Sequence, residues 1–290
     1  MRRSMLFMPG NNAGMLLNAD ALGADSIILD LEDAVSPKEK DSARILVRNA
    51  LKFLNYRNCE VIIRINSIDT EFWKHDLNEI IPMKPDMIMV PKVNCAKDVQ
   101  IVADYIQSVE KMHNIEKPTA IMPLIETAMG VENAFEIAKS CERVKAIFLG
   151  GEDLTADLRC KRTKKGDEIF YSRGRMVVAA RAANIAVYDT PFTDVKDEAG
   201  LKLDSEFAKG LGFTGKAVIS PRHVMSVNEV FSPSKEEIEY AYEVMEIIKV
   251  AKEQGKGAIS LRGKMIDAPI VERARQTIEM SEAMGGEFYG

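Results

Sequence analysis

Short apolar runs recur along the chain, separated by segments with the spacing of amphipathic helices. Continuous apolar runs are typical of strands that are buried on both faces of a sheet. Their spacing of ~20 to 40 residues, with helical patterns between them, is typical of βα units and a parallel sheet. We predict eight strands, at residues 4–8, 26–31, 60–65, 87–90, 119–124, 146–149, 186–188 and 217–219.

The fold predicted from these units is an α/β fold, a (β/α)8 TIM barrel. Eight units over ~220 residues suit this barrel, whose usual size is near 250 residues. A doubly wound open sheet is the competing fold, but it more often has a glycine-rich phosphate loop after its first strand. The segment Met8-Pro9-Gly10-Asn11-Asn12 has neither form of that loop. We therefore predict a barrel over residues 1–232 that carries the active site.

The pattern changes after residue 232. Ser234 and Glu237 have the spacing of a capping box, and apolar residues then recur at helical intervals up to a glycine-rich link, Gly255-Lys256-Gly257. A final helix is predicted from about Pro269, because proline suits the first turn of a helix. Residues 233–290 are thus predicted to form a C-terminal helical extension that packs on the barrel or on a neighbouring subunit.

Composition narrows the functional classes. The 290-residue chain is 46% hydrophobic and has a formal net charge of −5, with acidic and basic residues interspersed, which disfavours a nucleic-acid partner. No stretch approaches the ~20 apolar residues of a membrane span, and the apolar run at the amino terminus is too short for a signal peptide. Four widely spaced cysteines without a CxxC pair predict neither disulfides nor zinc. A reduced cytoplasmic location is expected, with no membrane association.

The strongest chemical signal lies where two neighbouring strands end. The sixth strand stops at Gly150-Gly151-Glu152-Asp153, and the fifth is followed by Glu126. Carboxyl ends of barrel strands converge on one face, and glycine lets backbone N–H groups approach a ligand closely. Two carboxylates suit Mg²⁺, which prefers oxygen ligands and takes only one or two from the protein. The alternative interpretation is a pair of solvated loop acids or helix N-caps.

Arg64 follows an apolar run in the third strand. An unpaired buried charge is costly, so its guanidinium is expected either to bind an anion or to pair with Asp30 or Glu32. The two roles are compatible if the ion pair orients the arginine. Lys92 is the cation expected to balance the acidic cluster of Asp30, Glu32 and Asp33, in a network that supports the site from behind.

Other catalytic classes have little support in the sequence. His75, His113 and His223 lack the spacing of a triad or a zinc site, so surface or structural roles are predicted for them. No Gly-x-Ser-x-Gly motif is present, which disfavours serine hydrolase chemistry.

Several segments match motifs of one enzyme superfamily. The Asp-Leu-Glu-Asp-Ala-Val string at 30–35 and the Gly-Gly-Glu-Asp segment at 150–153 are together highly specific. On these residues the chain resembles the HpcH/HpaI aldolase and citrate lyase β superfamily over essentially its whole length, and within it the β subunits of bacterial citrate lyase. The matching segments are residues 3–10, 23–35, 64–66, 89–92, 123–127, 149–154 and 263–269.

The resemblance implies specific roles for site residues. It implies Mg²⁺ held by Glu126 and Asp153, and Arg64 in contact with carbonyl or carboxylate oxygens of the substrate. Gly150 and Gly151 are expected to donate backbone N–H groups to a substrate carboxylate. In related thioester lyases an aspartate in a Met-Ile-Asp-x-Pro segment reaches a neighbouring subunit's site as an acid/base group. Here that residue is Asp267, which the sequence alone predicts as the N-cap of the last helix.

The activity implied is cleavage of a citryl-thioester to oxaloacetate and an acetyl-thioester. The implied partners are an acyl carrier protein (γ subunit) or coenzyme A as thioester carrier, a citrate lyase α subunit, and further copies of the chain in a trimer or hexamer. Many relatives that use coenzyme A have His-Pro-x-Gln after the eighth strand, where this chain has Ser220-Pro221-Arg222-His223, and this departure favours the carrier protein. The alternatives are a free-standing malyl-CoA or citramalyl-CoA lyase, a non-catalytic assembly subunit and, more remotely, a phosphoenolpyruvate-type enzyme.

Overall fold

The eight predicted strands form a closed parallel barrel. The computed structural model of the protein describes residues 2–253 and 259–285. Strand order follows chain order, and β1 closes the barrel by pairing with β8, with Met5 opposite Ala217. This closure confirms the (β/α)8 barrel and excludes the open sheet. The strands are β1 Ser4–Pro9, β2 Ser26–Asp30, β3 Glu60–Arg64, β4 Met87–Val90, β5 Ala120–Ile125, β6 Ala146–Leu149, β7 Ala186–Asp189 and β8 Gly215–Val218.

The predicted strand ends differ from the observed ones by up to two residues. The largest difference is in β8, which begins at Gly215 rather than at residue 217. Glycine weakens a strand prediction, but it allows another backbone to approach closely. A Cβ at Gly215 would overlap the carbonyl oxygens of Arg2 and Arg3, so the glycine allows the start of β8 to lie against the amino-terminal segment.

Helices connect successive strands of the barrel, and short 3-10 turns flank several of them. The longer helices of this unit carry an apolar face, as in α2, where Ala43, Val47 and Ala50 are buried. The helices are α1 Ala13–Asn18, α2 Lys40–Phe53, α3 Phe72–Ile80, α4 Ala96–Met112, α5 Ala128–Glu132, α6 Ala134–Ala138, α7 Gly151–Asp157, α8 Phe170–Ala182, α9 Glu198–Leu211 and α10 Arg222–Phe231.

Alternating residues of the strands fill the barrel interior. The inward positions are apolar through most of the barrel, with Met5, Ile28, Ile62, Met122, Leu124, Phe148, Tyr188 and Ala217 in one buried cluster. The two-residue period of a strand carries the inward side of β2 from Ile28 to Asp30, and that of β3 from Ile62 to Arg64. In β2 and β3, the inward-facing side chains are therefore apolar inside the barrel and charged at the carboxyl ends of the strands.

The chain from Glu229 onward forms a second compact unit, separate from Arg2–Asn228. It contains α11 Lys235–Glu253, a hairpin of β9 Ile259–Leu261 and β10 Lys264–Ile266, and α12 Ala268–Ala283. The predicted capping box is confirmed: the Glu237 N–H donates to Ser234 Oγ (3.1 Å) and the Ser234 N–H to Glu237 Oε2 (2.8 Å). The predicted link at 255–257 lies outside the described residues.

The β9–β10 hairpin was not predicted from the sequence. Its turn places Arg262 and Gly263 at φ values of 48° and 75°. Two consecutive positive φ values are typical of the two-residue hairpin turn, which usually has asparagine or aspartate before the glycine. Arginine at the first of these positions hides that signal.

No helix in the described part of the chain is long and apolar enough to cross a membrane. Cys59, Cys95, Cys141 and Cys160 are free thiols, in keeping with the prediction that they form no disulfides.

Candidate metal and substrate site

A pocket of about 260 Å³ opens at the carboxyl ends of the barrel strands. It brings together most of the site residues predicted from the sequence, from four separate segments. Those in its lining are Asp30, Asp33, Arg64, Glu126, Gly150, Gly151 and Asp153, together with Phe7, Phe148, Glu152, Thr190 and Ile219. Its walls are thus charged on the side of β2, β3 and β5, with aromatic rings from β1 and β6 beside them.

Glu126 follows β5 and is only 3% exposed. Its Oε1 accepts a hydrogen bond from the backbone N–H of Lys92 (2.8 Å). Burial, and then the negative charges of Glu32 and Asp153, raise the pKa of Glu126 to about 8. A buried carboxylate crowded by two others is a position where a cation would be strongly stabilised.

Gly150 gives Glu126 its space. A Cβ at Gly150 would lie 2.7 Å from both Cβ and Oε2 of Glu126, closer than atoms can pack. Gly151 is equally confined, since a Cβ there would lie 2.7 Å from Thr190 Oγ1. The double glycine therefore lets the turn from β6 into α7 lie directly against two neighbouring strand ends.

The amide groups of the two glycines have partners inside the protein. The Gly150 N–H donates to Ile125 O (2.9 Å), which extends the β5–β6 pairing, and the Gly151 N–H donates to Thr190 Oγ1 (2.9 Å). That these groups donate to a substrate carboxylate remains a prediction. That Gly150 and Gly151 line a substrate pocket remains a prediction.

Asp153 lies in the first turn of α7, in the same pocket as Glu126. Carboxylate oxygens match the preference of Mg²⁺, and both acids line the pocket. Among residues 2–253 and 259–285, no group of three or more His, Cys, Asp or Glu side chains is arranged as a metal site. Two carboxylates leave coordination positions for water and substrate, and this is the ligand set that Mg²⁺ usually takes from a protein.

Arg64 ends β3 and is held by a bidentate ion pair. Its Nε and Nη2 donate to the two carboxylate oxygens of Asp30 at 2.7 and 2.6 Å. Its Nη1 lies 3.1 Å from Glu32, and the guanidinium lies over the Phe7 ring at 5.2 Å. Burial acts to lower the pKa of Arg64, but the hydrogen bonds and charge of Asp30 raise it overall. The guanidinium is therefore a permanent cation in a fixed orientation beside the pocket.

Lys92 joins the acidic cluster to the carboxylate of Glu126. Its Nζ lies 2.9 Å from Glu32 and 3.6 Å from Asp33, while its backbone N–H binds Glu126. Its φ of 55° lies in the left-handed region that residues other than glycine rarely adopt. Strained backbone of this kind persists where surrounding contacts hold it, and it is frequent at functional sites.

Two residues that support the site, Lys40 and Thr190, were not predicted from the sequence. Lys40 Nζ donates to the carbonyl oxygens of Leu31 (2.8 Å) and Glu32 (2.6 Å), which fixes the turn that carries Glu32. Burial lowers the pKa of Lys40. A lysine at the start of a helix and a threonine after a strand carry no recognisable motif, so only their spatial neighbours reveal them.

Asp267 belongs to the second unit, whereas the residues that line the pocket belong to the first. It is the N-cap of α12, where its Oδ1 accepts a hydrogen bond from the Ile270 N–H (3.1 Å). The capping role predicted from sequence is therefore present. Its acid/base role remains a prediction.

The histidines have surface or structural positions, as predicted. His75 and His113 are exposed, and His223 is buried with its Nε2 3.4 Å from Val195 O. In the segment that replaces His-Pro-x-Gln, Pro221 and Arg222 are exposed.

A parallel barrel with two acids and an arginine around a pocket at its carboxyl end defines the class of protein, a (β/α)8 enzyme with a divalent-cation site. Comparison with known proteins narrows this class. The family model of HpcH/HpaI aldolase/citrate lyase matches residues 3–221. The chain belongs to this family.

Relatives are similar over nearly the whole chain, and a solved structure is similar over four fifths of it. Citrate lyase subunit beta of Leuconostoc mesenteroides subsp. cremoris is 42% identical, over 98% of this chain and 94% of the relative. The mitochondrial citramalyl-CoA lyase of Homo sapiens is 32% identical, over 98% of this chain and 86% of the relative. A crystal structure of the citrate lyase beta subunit of M. tuberculosis with oxaloacetate and magnesium is 28% identical, with a TM-score of 0.69 over 80% of this chain and 97% of that one.

Proposed function

We propose that the protein is a Mg²⁺-dependent carbon–carbon lyase that cleaves a citryl-thioester to oxaloacetate and an acetyl-thioester, as the β subunit of a citrate lyase. The observation that carries this proposal is the meeting of Glu126, Asp153 and Arg64 in one pocket. The 42% identity to a citrate lyase subunit beta supports the same reaction, and the solved relative with oxaloacetate and magnesium supports the product and the metal.

In the reaction, the tertiary hydroxyl of the citryl group loses its proton as the neighbouring carbon–carbon bond breaks. The hydroxyl carbon becomes the keto carbon of oxaloacetate, and the bonding electrons leave as the enolate of the acetyl-thioester, which then takes up a proton. Glu126 and Asp153 would hold Mg²⁺, and the bound ion would supply Lewis-acid stabilisation of negative charge on oxygen.

Arg64 would bind the carboxylate or developing keto oxygen of the substrate. Its fixed charge favours negative charge that forms beside it, and no reorganisation is needed because Asp30 already orients the guanidinium. An ion-pair network formed by Glu32, Asp33 and Lys92 would also keep the Arg64 guanidinium in this orientation, on the side away from Asp30. The apolar rings of Phe7 and Phe148 in the pocket wall would exclude water from the reacting atoms.

Asp267 is the proposed acid/base group that exchanges a proton with the acetyl enolate, acting in its own site or in that of a neighbouring subunit. Support comes from its position in the Met-Ile-Asp-x-Pro segment, 265–269. An acid within reach of the enolate carbon is a requirement of the reaction, because the enolate must be protonated before release.

The proposed partners follow from the same reaction. We expect an acyl carrier protein to deliver the citryl group, an α subunit to form the citryl-thioester, and identical chains to assemble as a trimer or hexamer in the cytoplasm. The segment Ser220-Pro221-Arg222-His223, in place of His-Pro-x-Gln, supports the carrier protein over free coenzyme A.

A free-standing citramalyl-CoA or malyl-CoA lyase is the second candidate. The 32% identity to a citramalyl-CoA lyase favours it as the alternative, since the same metal and arginine suit any 3-hydroxyacyl thioester with a carboxylate. A non-catalytic assembly subunit is disfavoured, because a scaffold would not need the crowded carboxylates at Glu126 and Asp153.

The deciding experiment is oxaloacetate release by the purified chain from citryl-acyl carrier protein and from citryl-coenzyme A, each with Mg²⁺ and with EDTA. We expect metal-dependent release with a strong preference for the carrier protein. Asp153→Asn and Glu126→Gln should each lower the turnover rate by about 100-fold or more while the protein stays folded. The reason is that loss of a group that holds or orients the metal strongly lowers metal affinity and activity. Pyruvate or glyoxylate release from citramalyl- or malyl-coenzyme A, with none from either citryl ester, would replace the citryl proposal with the second candidate.

A further inference from the structure

Thr190 follows β7 directly and is completely buried. Its Oγ1 accepts the hydrogen bond of the Gly151 N–H (2.9 Å), a contact between residues 39 positions apart in the sequence. The residue borders the pocket, but its hydroxyl oxygen is engaged by the backbone of Gly151. This contact connects the end of β7 to the start of α7.

Gly151 is the first residue of α7, and Asp153 lies two residues later. A Cβ at Gly151 would come within 2.7 Å of Thr190 Oγ1, so the start of the helix lies as close to Thr190 as glycine allows. The helix has only seven residues. Short helices have little stability of their own, so this attachment has a large share in fixing where the first turn lies.

The backbone of Thr190 is itself fixed by a buried ionic cluster. Lys216 Nζ donates to the Thr190 carbonyl oxygen (2.7 Å) and pairs with Asp189 (2.5 Å) and Asp204 (2.7 Å). Arg173 completes this buried quartet, with 2.8 Å contacts to the same two aspartates. The rigid wall of the barrel is thus connected through Thr190 to the turn that presents Asp153.

We propose that Thr190 is a positioning residue for the metal site: its hydroxyl sets the start of α7 so that the Asp153 carboxylate faces Glu126 across the pocket. The inference rests on the proposed function through the role of Asp153 as a Mg²⁺ ligand. It extends that function, because it assigns a share of the metal affinity to a residue that is not itself a proposed metal ligand.

The test compares Thr190→Val with Thr190→Ser by titration calorimetry with MgCl₂ alone. Valine keeps the shape of threonine but leaves the Gly151 N–H without its acceptor, whereas serine keeps the hydroxyl. We expect Thr190→Val to weaken Mg²⁺ binding by about 10- to 100-fold, the usual effect of removing a group that orients a ligand, and Thr190→Ser to stay within about threefold of wild type. Thr190→Ala, which removes the hydroxyl without a second methyl group, provides the same comparison if the valine variant does not fold.

Thr214→Val is the matched control. In the wild type, Thr214 Oγ1 accepts a hydrogen bond from the Val187 N–H (3.2 Å). This contact lies toward the amino end of β7, away from the pocket. Denaturant midpoints in EDTA should fall in both valine variants, but Mg²⁺ affinity should fall only in Thr190→Val. Wild-type affinity in Thr190→Val, or an equal loss in Thr190→Ser or Thr214→Val, would overturn the inference. Absence of Mg²⁺ binding by the wild-type chain would instead overturn the metal site itself.

Discussion

Burial and crowding set the charge of Glu126. Its carboxyl group has almost no exposure and two negative neighbours, and its pKa is raised from 4.5 to about 8. In the unfolded chain the same group ionises at its ordinary pKa. Between these values the folded protein binds more protons than the unfolded one, so stability is lost as the pH rises through that window.

We therefore predict that the metal-free protein loses stability by a few kcal/mol between about pH 5 and pH 8 through Glu126. Glu126→Gln, which stays neutral, should lack this component. The measurement is the free energy of unfolding in EDTA across that range, for both proteins. Parallel curves for the two would show that the Glu126 pKa is not raised. Added Mg²⁺ should restore the stability of wild type at pH 8, because it replaces the proton.

Gly150 has a steric role that a single methyl group tests. In Gly150→Ala the new Cβ would meet Glu126 at 2.7 Å, and overpacking of this kind costs about 1–3 kcal/mol. We expect that loss together with weaker Mg²⁺ binding, measured by denaturant unfolding and by calorimetry.

The control is Gly174→Ala in α8, where nothing lies within 4 Å of the added Cβ. Alanine should stabilise that helix by about 0.5–1 kcal/mol with no change in metal binding. A Gly150→Ala protein with the stability and Mg²⁺ affinity of wild type would contradict the close contact with Glu126.

Among the elements, α12 allows the two roles of Asp267 to be separated. Its Oδ1 caps the helix through the Ile270 N–H, and asparagine caps a helix about as well as aspartate, whereas alanine does not. Asp267→Asn therefore keeps the helix cap but removes the carboxylic acid.

We predict that Asp267→Asn keeps the stability of the wild type but lowers the rate of cleavage far more than it weakens substrate binding. Asp267→Ala should lose both the rate and about 1 kcal/mol of stability. Thermal unfolding and kcat against KM for oxaloacetate release provide the measurements. Normal turnover in Asp267→Asn would leave Asp267 with its capping role alone.

On the scale of the whole barrel, a buried ionic quartet stabilises the wall behind the pocket. Arg173 and Lys216 balance Asp189 and Asp204, and these side chains have between 0% and 5% exposure. The quartet joins two strand residues to α8 and α9. Burying four charges is tolerable only because each lies against opposite charges.

Removal of one cation should therefore be severe. We predict that Lys216→Met destabilises the protein by about 3–5 kcal/mol, because the two buried aspartates are then left with Arg173 as their one cation and the quartet with an uncompensated negative charge. The matched control is Lys235→Met in α11, whose 3.9 Å pair with Glu239 is exposed and should contribute less than about 1 kcal/mol. Equal denaturant midpoints for the two variants would contradict the importance of the quartet.

Strand ends were predictable from the sequence because a buried parallel strand is a continuous apolar run. The runs before Glu126 and Gly150 therefore located two pocket residues correctly on adjacent strands. The β9–β10 hairpin was missed, because Arg262 adopts a positive φ that its residue type does not signal. Local preference describes only the commonest backbone conformation of each residue, so exceptions of this kind need the folded neighbours.

By itself, the sequence determined the period of the barrel, its membership of the family and the acids at its strand ends, since these follow from local pattern and motif. Only the tertiary structure decided which of the possible partners pair. It gave Arg64 its two hydrogen bonds to Asp30, 34 residues away in the sequence, and it paired the Gly151 amide with Thr190. The reason is physical: hydrogen bonds and ion pairs depend on distances of a few ångströms, and closure and strand register set those distances between segments that are far apart in the chain.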